Sequence, residues 1–407
     1  MLRRELIRQL RGTGPAALAT CMIAQTAHAQ EQPPQAPVEI SETAHPIDQP
    51  GPAKHESGFR GMFFDPEDGK LDLSRTLARG GFVPMPVIIT EPAVDGGFGI
   101  AAQFVTMPED NPRHVTRRIA AAFKTGNDSY GYGYFQTGYA FDGQLKYKIG
   151  AGRGKVNLEA RPSFAPGGIN YTNKYDYGIL GSALWRLGDD RFSIGPLIDF
   201  RQLTSKIDFA DAPEDFDRDF GRKMNTGALG AGFHFDSRDN PITPTQGVNA
   251  FVEGKFNSGT FGSDRTYQIY DLDLYAFQKL SPKWHIAFKT EIDAARGRFP
   301  SYFAPSIDLR GVEAIRYQGS TVQSSEAEVT LRLGERWSIL AFGGVGSAHS
   351  GQSRIFDDSG AIFAGGTGIR YRIARKQGID FGIDVAAGPG GGIFYLQFGH
   401  AWAFSMD

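Results

Sequence analysis

The residue types that do most enzymatic chemistry are present in this chain but are not spaced for it. The eight histidines are scattered without metal-ligand spacing. There is no Gly-x-Ser-x-Gly elbow, no phosphate-binding Walker loop and no cysteine nucleophile. Asp215, Asp217 and Asp219 alternate as in a calcium loop. Gly221 comes one position late for an EF-hand, however, and no glutamate stands at the twelfth position. The run reads as an acidic outer loop that meets divalent cations at a surface. Asp236 and Arg238 are spaced to pair at a strand end, and Asp239-Asn240-Pro241 opens a turn because proline fixes φ and restricts its predecessor. Other charges (Lys289, Glu291, Asp293, Arg370, Arg372, Asp380 and Asp384) alternate with apolar residues. They suggest a charged inner wall rather than a reaction centre. The expectation is a non-enzyme with no cofactor and no metal.

The elements that position these charges must be strands. The chain has 407 residues, with 52 glycines, 12% aromatics and nearly balanced charge, 43 Lys+Arg against 45 Asp+Glu. That balance offers no basic stripe for nucleic acid. Mean hydropathy is −0.31, and no apolar run is long enough for a transmembrane helix, which needs about 18 residues or more. A membrane protein of this composition must be a barrel, in which lipid-facing and lumen-facing residues alternate.

Residues 1–29 read as a signal peptide. Arg3, Arg4, Arg8 and Arg11 make a positive start, an apolar stretch follows, and Ala27-His28-Ala29 places cleavage before Gln30. Lipidation at Cys21 is the alternative, with Thr20 an unusual neighbour for it. Residues 30–81 are a Pro-rich periplasmic lead-in, with a short helix expected from Asp72 to Arg79 and Asp72 as its N-cap. It is either a loose tether or a small plug on the periplasmic mouth.

Residues 82–404 alternate with the strand period. Ala327, Val329, Leu331 and Leu333 interleave with Glu326, Glu328, Thr330 and Arg332. Sixteen strands are expected, from 82–92 through to 392–404, with alternately short and long connections. The fold class is therefore all-β: a 16-stranded antiparallel transmembrane β-barrel with a short N-terminal periplasmic extension. In the last strand Gln397, Gly399, Trp402 and Phe404 match the polar-x-Gly-x-x-apolar-x-apolar pattern of a barrel-assembly signal.

Two motifs carry a family resemblance. Asp236-Ser237-Arg238-Asp239-Asn240-Pro241, continuing to Gly247, lies between strands 8 and 9. Leu309-Arg310-Gly311, followed by Arg316-Tyr317-Gln318-Gly319, lies between strands 11 and 12. Together they resemble the BamA/TamA surface-antigen superfamily of assembly and translocation barrels, over about four fifths of the chain. The resemblance implies that the Arg310 loop folds into the lumen and that Arg310 pairs with acids on the inner wall. The strand-13 acid of the family is replaced here by Gly344, so Glu326 or Glu328 is expected to supply the carboxylate. The alternative is Arg310 solvated in an outer loop. The roughly fifty residues before Phe82 are too few for a POTRA module, which places the chain in a branch lacking them.

The resemblance also points to the seam between strands 1 and 16 as a lateral gate. Pro84 and Pro86 lie in strand 1, and strand 16 begins with Gly390, Gly391 and Gly392. Either these prolines weaken the closure or they lie below the paired region. Three functions follow: assembly or translocation through the seam, a passive pore, or a scaffold for a periplasmic partner. The expected partners are outer-membrane lipid and lipopolysaccharide, the barrel-assembly machinery during biogenesis, and a separate periplasmic partner or client protein. The expected location is the outer membrane of a Gram-negative bacterium.

Overall fold

The computed structural model describes residues 63–78, 82–89, 94–106, 114–160, 169–188, 191–209, 222–300, 303–313, 316–351 and 353–403. The signal segment, most of the lead-in, the Asp215–Gly221 run, Arg79 and Phe404 lie outside them. A short helix α1 (Ser74–Ala78) precedes sixteen strands. They are β1 (Phe82–Ile89), β2 (Gly97–Thr106), β3 (Thr116–Thr125), β4 (Tyr130–Ala140), β5 (Leu145–Ala160), β6 (Ile169–Leu187), β7 (Phe192–Phe209) and β8 (Arg222–Asp236). The second half holds β9 (Gly247–Asn257), β10 (Tyr267–Lys279), β11 (Trp284–Gly297), β12 (Thr321–Arg332), β13 (Trp337–His349), β14 (Ile362–Ala374), β15 (Ile379–Gly388) and β16 (Gly391–Phe398). Each strand pairs antiparallel with its sequence neighbours, in one sheet ordered β1 through β16.

The sheet curls into a nearly closed barrel that is inverted relative to a water-soluble one. Phe98, Ile100, Ile179, Ile194, Val252 and Val385 are exposed on the outer face. Arg117, Lys289, Glu291, Glu326, Glu328, Arg370 and Asp384 are buried on the inner one. A continuous apolar belt of this kind is unfavourable in water and suits hydrocarbon. There the ladder satisfies the backbone amides of the wall between its two edge strands, β1 and β16. Trp185, Phe192, Trp284 and Trp337 stand exposed on the outer face near the short connections, as an interfacial aromatic girdle does. The short connections are tight turns: Phe141, Asp142 and Gly143 all adopt positive φ between β4 and β5.

Two expectations need correction. The last strand ends at Phe398, not at residue 404. Gly399 takes φ +82°, and the chain turns off the wall. A Cβ at Gly399 would also stand 2.8 Å from Ile242 Cγ2, so glycine is required there both by backbone conformation and by close approach. The expected strand therefore does not reach Trp402, which is buried inside the barrel, 4% exposed. The helix is also shorter than expected, and Asp72 lies two residues before it, accepting the Ser74 amide at 2.7 Å.

Candidate functional site: the lumen arginine and the β1/β16 seam

The connection between β11 and β12 folds back into the barrel. It closes on itself through an isolated bridge from Ser306 to Gln318 and a bond from the Ile307 amide to the Tyr317 carbonyl at 3.0 Å. Ile307, Leu309 and Val312 bury against Val322, Ala348 and Ile362 of the wall. Burial of these apolar side chains holds the loop inside and sets Arg310 facing the wall.

Arg310 meets three carboxylates. Its Nε donates to Glu326 Oε1 at 2.9 Å, its two terminal nitrogens to Glu328 Oε2 at 2.7 Å and Asp384 Oδ2 at 2.9 Å, and its amide to Glu326 Oε2 at 3.2 Å. The guanidinium also lies 3.6 Å from the centre of the Phe342 ring, a stacked cation–π arrangement. Arg370 donates twice to Asp384, at 2.5 and 2.9 Å. Three buried acids thus face two guanidiniums, and the charge-assisted bonds offset the cost of desolvating them. Of the two alternatives read from the sequence, Glu326 and Glu328, each bonds the guanidinium here. The third, Asp384, was legible only as an inward charge, because nothing local ties β15 to the loop.

Gly344, where the resemblance led to the expectation of an acid, has a physical reason. A Cβ there would approach Leu309 Cδ2 to 2.8 Å and the Ser325 carbonyl to 2.6 Å. Leu309 occupies the space an acid would need. Gly311, with φ +98°, lets the loop tip pass close to β15, and its amide donates to the Tyr395 hydroxyl of β16 at 2.9 Å.

The turned-in tail joins the same network. The Trp402 indole donates to Glu326 Oε1 at 2.9 Å, and His400 Nε2 lies 3.3 Å from Glu328 Oε1. Of the expected assembly signal, Gln397 pairs in register with Gly382, Gly399 is the turn and Trp402 reaches the arginine site. The lumen loop and the end of β16 are therefore one connected cluster, which a reading of residues 392–404 as one strand could not show.

The seam itself carries no ladder. Among the described residues, the pairings run from β1 to β16 without one joining β16 to β1. Both prolines lie within the paired strand, opposite Ala102 and Ile100 of β2. Their positions follow from the hydrogen-bond pattern. The Gly126 amide bonds to Gly96, whereas the Thr125 amide bonds to Ser129. Even residues of β3 thus face β2, and by register the odd residues of β2 face β1. Pro84 and Pro86 hold positions whose backbone faces away from β2, toward the seam. The ring nitrogens remove two donors from the edge offered to β16 and none from the β1–β2 ladder. Gly392, on the outer face of β16, pairs with Ala387 of β15.

Side chains cross the seam where the ladder does not. The turn between β8 and β9 is built by its own motif. Arg238 binds both oxygens of Asp236, at 2.8 and 2.7 Å, and the Pro241 carbonyl at 2.9 Å. Asn240 accepts the Ile242 and Thr243 amides, and Asp239 the Thr245 and Gln246 amides. This framework holds Ile242 in a fully buried cluster that draws on Ala101 and Val105 of β2, Ile119 of β3 and Ile379 of β15, with Val87 of β1 and Phe398 of β16 against it. The Ile242 carbonyl accepts the His400 amide at 2.9 Å.

The N-terminal segment docks at the same end. Arg336, in the turn after β12, bonds Asp65 at 2.9 Å, Asp68 at 2.8 Å and Asp72 at 2.6 Å. Arg375 adds Asp65 and Glu67. The Leu73 amide donates to the Ile373 carbonyl at 2.7 Å. Burial disfavours the charged Asp72 carboxylate, but bonds from Ser74, Arg375 and Arg336 more than compensate and hold its pKa below the usual value. Asp68 is lowered chiefly by its bond to Arg336.

Comparison with solved structures settles the architecture. BamA from Haemophilus ducreyi, in a form lacking POTRA domains 1–3, superposes with a TM-score of 0.52 at 13% identity, covering 77% of this chain and 68% of that one. The fold is that of the BamA and CdiB barrels. CdiB from Acinetobacter baumannii gives 0.52 at 10% identity over 78% of this chain, and CdiB from Escherichia coli 0.51 at 8% over 77%. The chain spans 59% and 61% of those two proteins. No protein-family model and no curated protein sequence matches it.

Proposed function

We propose that this chain is a non-catalytic barrel of the Gram-negative outer membrane that assembles or translocates a client through its β1/β16 seam. The observation that carries the reading is the missing ladder, with two prolines on the edge that would otherwise complete it. Three features support it. The wall is otherwise paired throughout, so opening at the seam costs the fewest backbone bonds. The lumen loop obstructs a wide pore. The barrel fold is shared with BamA and CdiB. The Pro-rich lead-in would recruit a separate periplasmic partner.

Cysteines at Ile88 and Gly392 test it. Oxidation in cells should reproduce the phenotype of a deletion, and reductant should reverse it. An oxidised, crosslinked barrel that functions normally would rule out lateral opening. A passive pore predicts instead a steady open conductance in planar bilayers that crosslinking leaves unchanged.

A further inference from the structure

The outer face is unevenly charged at the end bearing the long loops. One row of directly paired positions crosses six strands: Lys124, Tyr130, Lys155, Lys174, Thr204 and Lys223, on β3 to β8 in order. Burial alternates along these strands so that the row points outward. Lys174 is flanked by buried Asn173 and Tyr175, and Lys223 precedes buried Met224. The side chains of Lys124 and Lys174 are 70% and 53% exposed.

The row lies at a membrane boundary. From Leu145, level with the aromatic girdle, to Lys155 is the length of a tilted membrane-crossing strand, about 9–11 residues. Exposed Ile149 and Ile179 lie on the outer face between those levels. Arg153, exposed, is paired with Tyr132 one row inside. Neighbouring strands are about 4.8 Å apart, so the row runs roughly 24 Å around the wall. Two carboxylates stand among these cations, Asp128 at 2.9 Å from Lys124 and Asp176 at 3.2 Å from Lys174. They leave the row net positive. The other half of the barrel has no counterpart among its described residues. Lys255 and Lys289 turn inward onto carboxylates, and Arg296 bonds Ser320 and Thr321.

We infer that the row Lys124–Lys155–Lys174–Lys223 docks the phosphates of a phosphorylated glycolipid in the surrounding outer leaflet, fixing one side of the barrel in ordered lipid. Four ammonium groups at one depth, above apolar side chains that would face acyl chains, complement a headgroup carrying more than one phosphate. This rests on the outer-membrane placement proposed above, but not on the seam opening.

The test uses the full-length protein in mixed micelles containing bis-phosphorylated lipid A, its dephosphorylated form, or phosphatidylethanolamine. Native mass spectrometry counts the lipids retained. The wild type should retain lipid A over the other two. The variant carrying Lys124→Gln, Lys155→Gln, Lys174→Gln and Lys223→Gln should lose it by about tenfold or more. Arginine at the same four positions should restore retention, and Lys279→Gln with Lys283→Gln at the opposite end should leave it unchanged. If the fourfold variant lacks heat-shifted gel mobility, the pair Lys174→Gln and Lys223→Gln should show a partial loss in a folded barrel. Equal retention of lipid A by wild type and glutamine variants, or of its dephosphorylated form by the wild type, would overturn the inference. So would displacement by inorganic phosphate at equal phosphate concentration. Cell fractionation reports membrane placement separately, so the two readings fail on different observations.

Discussion

Arg310 and Arg336 each gather three carboxylates, and the contrast between them separates two kinds of closure. Arg310 sits on a loop, and its acids, Glu326, Glu328 and Asp384, belong to the wall. Arg336 sits in a turn of the wall, and its acids, Asp65, Asp68 and Asp72, belong to one short segment that precedes the first strand. The first is sealed from water, stacked on Phe342 and tied to a second guanidinium. It locks the lumen contents to strands that already hold one another. The second joins the segment carrying α1 to the mouth, where Leu73 packs against the Ile242 cluster beside the unladdered seam. A buried arginine that faces the wall therefore maintains the lumen, whereas one that faces the lead-in governs whether the lead-in stays docked.

Breaking the first hub should have the largest effect. Arg310→Ala leaves three buried acids without their shared partner and should cost about 3–5 kcal/mol in urea unfolding from lipid vesicles. It should also raise conductance by releasing the loop. A double-mutant cycle between Arg310 and Glu328 should give a coupling of about 1 kcal/mol or more, and zero coupling would count against Glu328 as a partner. Arg336→Ala should cost less, about 1–2 kcal/mol, because water screens part of that cluster. Its distinguishing result is protease cleavage between residues 63 and 78 while the barrel stays resistant. Trp402→Phe removes the indole bond to Glu326 and should cost about 1 kcal/mol. Acid sharpens the comparison last. Asp68 and Asp72 titrate below the ordinary carboxyl value when docked. Their contribution is full above the free value, about 3.9, and is lost as pH falls through the docked value. Limited proteolysis across pH 5 to 2.5 should therefore expose the lead-in of the wild type, and Arg336→Ala should flatten that dependence.

The wall was legible in the sequence because alternation is local: every strand expected from Phe82 to the chain end is present, most within a few residues of its bounds. The lumen position of Arg310 came from motif resemblance, and its two β12 partners from parity. What was missed lies far apart in the chain. Asp72 and Arg336, or Arg310 and Asp384, leave no period to read, and Arg336 looks like an ordinary solvated turn charge. The tail was misread because Phe394 to Phe404 alternates well enough to extend a strand. Alternation does not register that Gly399 turns beneath Ile242.

That contact constrains the order of assembly. Ile242 lies mid-chain, yet its burial needs strands from both chain ends in place. The β8–β9 hairpin can zip early, but its tip has nowhere apolar to rest until the sheet has curled round to meet it. Consolidation of this end must therefore come late, as a long-range step that reports whether the two halves have met.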